Sequence, residues 1–311
     1  MTTPRKTLPQ LDGGLYLTDA GLETDLIFNR GVELAEFASH KALEDARAKS
    51  ELAAYYRGFL SLARDLRTGF VLDTPTWRAQ PYFAGALGAT VPELAAANRD
   101  AVDFVADLRR EYRGNTGPIL LNGVVGPRGD AYAPEARLTA AEAEDYHAGQ
   151  LGWLATTDID MVSAVTFTQM DEAIGFVRAA SQLGLPAVIS FTVETDGTLP
   201  TGQRLADAIA GVDTATQGYA SYFMVNCAHP DHFSGQLEGD WVRRIRGLRC
   251  NASRMSHTEL DNAEELDTGN PAELGEAYAE LRRRLPWLNV FGGCCGSDLR
   301  HITAIAHAIA A

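Results

Sequence analysis

Eight short apolar runs, rich in β-branched and aromatic residues, recur along the 311-residue chain at 15–21, 69–75, 118–126, 160–167, 186–193, 219–227, 246–253 and 287–294. Each has the length of one strand and most are almost continuously apolar, the pattern of a parallel strand covered on both faces. Between them the period changes. "ELAAYYRGFLSLARDLR" (51–67), "DEAIGFVRAASQLG" (171–184) and "PAELGEAYAELRRRL" (271–285) place apolar residues at helical spacing. Eight strand-then-helix units predict an α/β fold, a (β/α)8 TIM barrel. No Ser/Gly linker, low-complexity tract or further repeat divides the chain, so one domain over 1–311 is expected.

Such a barrel keeps its chemistry at the C-terminal ends of its strands. The polar residues of the eight runs gather there: Asp19, Asp73 and Thr74, Asn122, Thr166, Glu194, Asn226 and Cys227, Asn251, then Cys294 and Cys295. Strand ends also border polar loops for no functional reason, which accounts for any single one of these residues more easily than for the whole ring.

Composition narrows the functions. With 46% apolar and 22% charged residues the chain has material for a sizeable core. A formal charge of −14, with no basic block to offset it, argues against nucleic acid and anionic membranes as partners. The N-terminal "MTTPRKTLPQLDGG" lacks the apolar core of a signal peptide, and no run approaches the roughly 18 apolar residues of a membrane span. A soluble cytoplasmic protein acting on small molecules is expected. A homo-oligomer is compatible with the sequence.

The four cysteines, at 227, 250, 294 and 295, do not form a disulfide framework in a chain long enough to bury its own core. Cys227 closes the sixth strand and Cys294–Cys295 the eighth, so unbridged thiols from both converge on the barrel rim with the seventh strand between them. Three thiolates suit Zn2+, and three protein ligands with a fourth position open describe a catalytic zinc centre. Glycines 292, 293 and 296 are expected to supply the backbone angles that turn adjacent cysteines to one ion, and Ser297 to cap the last helix. Two other accounts compete. A glycine loop before a helix also binds phosphate, the cysteines then being small fillers. His229 offers a fourth ligand or is a plain loop residue, and Cys250 is most simply a core residue.

"VNC" at 225–227 with "GGCCG" at 292–296, supported by "GVVGPRGDAY" (123–132), "YHAGQLGWLATTDIDMV" (146–162) and "DEAIG" (171–175), resembles the zinc-dependent homocysteine S-methyltransferase family, which includes betaine– and S-methylmethionine–homocysteine methyltransferases. The resemblance spans nearly the whole chain. It implies a (β/α)8 barrel, zinc on Cys227, Cys294 and Cys295, and methyl transfer from an onium donor of S-methylmethionine, S-adenosylmethionine or betaine type to homocysteine, giving methionine. Coordination removes the acceptor thiol's proton and leaves a nucleophilic thiolate. It further implies acceptor contacts from Asp19, Thr74, Thr166, Asn226 and Asn251. An acidic rim from Asp19, Asp73, Glu194 and Asp196 favours a cationic donor, and Trp77 with Tyr82 or Phe83 faces it through cation–π contact or else packs barrel to helix.

The chain departs from that family at two strand ends. Asp19-Ala20-Gly21 stands where Asp-Gly-Gly is usual, and Val165-Thr166 where a Glu-Thr pair holds the acceptor's ammonium group. Glu194 on the fifth strand is the expected substitute carboxylate; failing that, the acceptor is a different thiol. His257 and Glu259 read as the start of a surface helix. A corrinoid methyl donor carried by another chain, a phosphate-binding lyase or isomerase barrel, and a non-catalytic zinc or redox-sensing barrel are the alternatives. No lysine follows a strand where a Schiff-base enzyme needs one.

Overall fold

In the computed structural model, which describes residues 7–129, 131 and 137–310, eight parallel strands close into a barrel in sequence order. They are β1 (Tyr16–Leu17), β2 (Gly69–Asp73), β3 (Ile119–Val125), β4 (Met161–Phe167), β5 (Ala187–Phe191), β6 (Tyr222–Asn226), β7 (Ile245–Cys250) and β8 (Val290–Gly293). Each falls inside one of the eight apolar runs, except that β7 begins one residue before its run. β1 closes the ring by pairing with both β2 and β8. Residues 130 and 132 of the 123–132 segment lie outside the described residues.

The helices start where local chemistry dictates. Asp45 caps the helix Ala46–Leu66 by accepting from the Ala48 amide, and Arg67 ends it in a left-handed conformation. Thr90 with Glu93, and Thr139 with Glu142, form reciprocal capping boxes at the helices Val91–Tyr112 and Ala140–Leu154. Leu52, Tyr55, Tyr56, Phe59, Leu60 and Ala63 line one face of the first helix and are buried against the barrel wall. The helices Met170–Leu183, Leu205–Thr216, Pro271–Arg284 and Leu299–Ala310 complete the outer ring. The β6–β7 connection departs from eight equal units. It carries only the one-turn helix Pro230–Phe233 and 3-10 turns, so the sixth helix is vestigial.

Inside the barrel the layering sets the position of the chemistry. Tyr16, Val71, Leu120, Met161, Val188, Tyr222, Met224 and Val290 fill the lower interior, with Leu8 packed beneath. Gln10 joins that base by donating to the Tyr222 hydroxyl at 3.1 Å. Above this apolar plug the inward residues become polar, beginning with Asp73, Asn122 and Ser163. Asn122 therefore sits mid-strand and not at the rim where its run suggested, because β3 extends three residues beyond it to Val125. Among the described residues no helix is long and apolar enough to cross a membrane.

Candidate active site and metal centre

At the rim, the Sγ atoms of Cys227, Cys294 and Cys295 all lie within 4.8 Å of one another. Cys227 is buried, and the other two are half-buried. Cys295 Sγ is 3.8 Å from Cys227 Sγ, close to the edge of a tetrahedron with metal–sulfur bonds of about 2.3 Å. The cysteine spacing predicts three unbridged thiols; the structure instead joins Cys227 and Cys294 as a disulfide. Barrel closure brings together two residues 67 positions apart, a proximity that their separation along the chain conceals. The donor set fits zinc once that bond is reduced.

Two backbone outliers aim these groups. Cys227 has φ +53° and Thr166 φ +65°, left-handed conformations that L-residues adopt only when their surroundings hold them, at about 1–3 kcal/mol each. Asn226 provides part of that hold: its Oδ1 accepts from the Thr166 amide at 3.0 Å and its Nδ2 donates to Thr166 Oγ1 at 2.7 Å. The same Nδ2 approaches Cys294 Sγ at 3.9 Å. On the other side, His257 Nε2 lies 2.7 Å from the Cys227 carbonyl oxygen, with Thr192 Oγ1 donating to that oxygen at 3.2 Å. His257 Nδ1 faces Glu194 Oε1 at 3.2 Å. His257 is thus a buried support of the cysteine loop and not a surface residue, while Glu259 does form the expected helix start, in a capping box with Ser256.

The glycines act differently from expectation. Only Gly296 needs a left-handed angle (φ +76°). Gly292 and Gly293 lie within β8, where close approach of β1 and of Ser297 excludes a side chain. Ser297 donates to the Cys294 carbonyl at 2.6 Å, and Asp298 is the residue that accepts the Arg300 amide at the final helix.

Beneath the sulfurs lies a polar chain that the sequence did not reveal. Arg249, beside Asn226 in the β6–β7 register, extends its guanidinium across β8 and β1 toward β2. Nη1 pairs with Asp73, Nη2 with Asp19, and Nε donates to the Gly293 carbonyl at 3.3 Å. Asp73 accepts from Asn122 Nδ2 at 2.7 Å, and Asn122 from Ser163 Oγ at 2.9 Å. Asp19 also accepts from the Tyr55 hydroxyl at 3.3 Å, which itself accepts the Ala20 amide. Burial pushes the Asp19 carboxyl up to about 7; Arg249 opposes the rise, while Asp73 and Glu23 add to it. Arg249 is raised despite its burial by the two carboxylates and stays charged. The one sequence signal was a second charged residue in β7, a strand that already carries Arg246.

Asp19 sets a pH dependence. Between 3.8, its ordinary value, and about 7 the folded protein keeps a proton that the unfolded chain releases. Its contribution to stability is complete below the lower value and is lost as pH rises through the upper one. The stability of Asp19→Asn relative to the parent is therefore expected to increase from pH 4 to pH 8, by on the order of 4 kcal/mol. Denaturant unfolding of both proteins at several pH values measures it; parallel pH profiles would exclude it.

The remaining expected residues divide. Thr74 Oγ1 accepts from the Val124 amide at 3.1 Å and meets Thr76 Oγ1, whose own proton goes to the Val124 carbonyl; Thr74 must then donate to Thr76. Its donor is committed to the β2–β3 wall and not available to an acceptor. Trp77 donates its indole N–H to the Val165 carbonyl at 3.0 Å, and Arg78 stacks on the Trp77 and Phe83 rings, so a cation of the chain itself already lies over these aromatics. Tyr82, edge-on to Phe83, stays 46% exposed. Asp73 belongs to the barrel interior and not to a donor loop. Asp196 turns away to cap Thr198. His229 lies buried as the cap of Pro230–Phe233, outside the sulfur cluster, and Cys250 is a core residue. Asn251 is buried, its amide on the Ala228 carbonyl.

Residues 16–309 match the model of the homocysteine S-methyltransferase family. The fold is similar to that of the homocysteine methyltransferase MmuM from Escherichia coli: 19% identity and TM-score 0.74 for its oxidized form, covering 96% of this chain and 97% of that one. Its metallated form gives 18% and 0.72, covering 96% and 98%. No curated protein matches the chain. At these identities the structural likeness speaks for the barrel alone, and the family model, which takes in all eight strands and all three clustered cysteines, carries the assignment. The chain belongs to the homocysteine S-methyltransferase family and is accordingly a methyltransferase.

Proposed function

We propose that this protein moves a methyl group from an onium donor, of S-methylmethionine, S-adenosylmethionine or betaine type, to the thiol of homocysteine, giving methionine, on a Zn2+ held by Cys227, Cys294 and Cys295. The observation that carries this is the convergence of three sulfurs on the rim face where barrel enzymes work. With its fourth position open, the ion would supply a thiolate nucleophile at neutral pH. Three thiolates require that the Cys227–Cys294 bond first take up two electrons and two protons from a thiol or phosphine reductant, giving two thiols.

The chain's own residues do the rest. Asn226 places an amide N–H against Cys294 Sγ, and His257 and Thr192 fix the carbonyl of Cys227, which orients two of the three sulfurs on the rim. In the transfer the donor's carbon–sulfur or carbon–nitrogen bond breaks as the new carbon–sulfur bond forms, and the donor leaves as a neutral thioether or amine. The acceptor's proton goes to solvent. A net charge of −14 favours the cationic donor on approach.

The test is protein purified under reducing, zinc-replete conditions. Stoichiometric zinc and methionine formation from at least one of the three donors, read by mass spectrometry, are expected. Absence of zinc would overturn the proposal, and zinc without methionine would move the acceptor to another thiol.

A further inference from the structure

Arg249 does more than neutralise buried carboxylates. Its guanidinium has five N–H groups, and Asp73, Asp19 and the Gly293 carbonyl take three of them. The other two have no partner among the described residues. The side chain keeps 11% exposure, against 2% for Asp19 and 6% for Asp73, so it is the most accessible member of this ion-pair cluster. Its position is equally specific. The Arg249 carbonyl accepts the Cys227 amide, and its Nε bonds the residue before Cys294, which sets the charged head just below the sulfur cluster. A small thiol with its sulfur at that cluster would direct its other end at this group.

The charges around that head add up to a zwitterion detector. Two carboxylates flank one guanidinium, leaving one surplus negative charge in a desolvated pocket when both are ionised. A thiol bearing only a carboxylate meets the guanidinium but also two like charges. One bearing only an ammonium satisfies the carboxylates and leaves the two N–H groups unpaired, at the cost that buried donors incur. An amino-acid thiol satisfies both. Val165, at the end of β4, offers no charge of its own.

We propose that Arg249 is the acceptor-recognition residue, its two uncommitted N–H groups receiving the carboxylate of a thiol amino acid while Asp19 beside it receives the ammonium. This rests on the acceptor reading above and adds the residue that enforces it. Arg249 touches the acceptor but takes no part in bond making, so its signature is in KM and binding and not in kcat.

Calorimetric titration of the zinc-loaded, reduced wild-type protein tests this without a donor. Homocysteine is expected to bind at least about 30-fold more tightly than 3-mercaptopropan-1-amine, which lacks the carboxylate, and than 4-mercaptobutanoate, which lacks the ammonium. In Arg249→Lys the advantage over 3-mercaptopropan-1-amine is expected to shrink at least about tenfold while that over 4-mercaptobutanoate persists. Equal wild-type binding of homocysteine and 3-mercaptopropan-1-amine would overturn the inference alone. Failure of homocysteine to bind would overturn the acceptor reading with it. The wild-type series stands even if Arg249→Lys does not fold.

Discussion

Cys294→Ala is expected to leave a folded protein that no longer retains zinc through purification and whose methyl transfer falls by about a thousand-fold or more. In the reduced protein, where the bond to Cys227 is absent, the fold should persist because Cys294 contributes to the barrel through its backbone, whose amide bonds the Cys250 carbonyl at 2.9 Å, a bond that alanine keeps. The chemistry should not. An unassisted thiol with its usual pKa near 8.5 is only about 3% ionised at pH 7, which alone lowers the nucleophile about 30-fold. Losing the site that fixes the acceptor's sulfur in line with the donor accounts for the remainder. Cys250→Ala is the matched control: fully buried and outside the cluster, it should cost stability and leave zinc in place. Metal analysis, circular dichroism and single-donor turnover on the two variants measure this. Stoichiometric zinc in Cys294→Ala would remove Cys294 from the ligand set.

How much of this was legible in the sequence depends on whether the signal is local. The strands were legible because parallel strands in a closed barrel are buried on both faces and so read as continuous apolar runs. The cysteines were legible because strand order in a barrel is spatial order, placing Cys227 and the Cys294–Cys295 pair with only β7 between them. What depends on side-chain direction was not. Thr74 stands at a strand end like Thr166, yet its hydroxyl is committed to Thr76 while that of Thr166 faces Asn226. Arg249 and His257 came from segments with no helical or strand irregularity to mark them. Their roles follow from partners on β1, β2, β5 and β6 that only closure assembles. The glycines were read as sources of unusual backbone angles, whereas two of them are sites of close approach, a property of the neighbouring strand.

Gly292→Ala tests that last distinction and should be strongly destabilising. A Cβ at Gly292 would lie 2.7 Å from the Asp19 carbonyl oxygen and collide with Thr18 Oγ1. Neither strand has room to withdraw. The Thr18 amide bonds the Phe291 carbonyl at 2.9 Å and the Gly293 amide bonds the Asp19 carbonyl at 3.0 Å, so the two backbones are pinned on both sides of the clash. The Gly292 carbonyl is held from outside by the Tyr278 hydroxyl at 2.8 Å. Separating β1 from β8 opens the barrel seam, and overpacking of this kind costs about 3 kcal/mol. Because Asp19 precedes the turn that packs Gly21 against the Cys294 carbonyl, the shift also displaces the paired cysteines, and zinc affinity should fall about 10- to 100-fold in whatever protein folds. Gly13→Ala provides the contrast. Gly13 is left-handed at φ +92° but has nothing within 4 Å of a Cβ, so it should lose only the backbone preference, about 1–2 kcal/mol, and keep its zinc. Denaturant unfolding and zinc titration of both variants separate the two causes. Equal stability losses with zinc retained in both would mean that the glycines before the paired cysteines serve backbone angle after all, and that the seam between β1 and β8 is looser than these contacts imply.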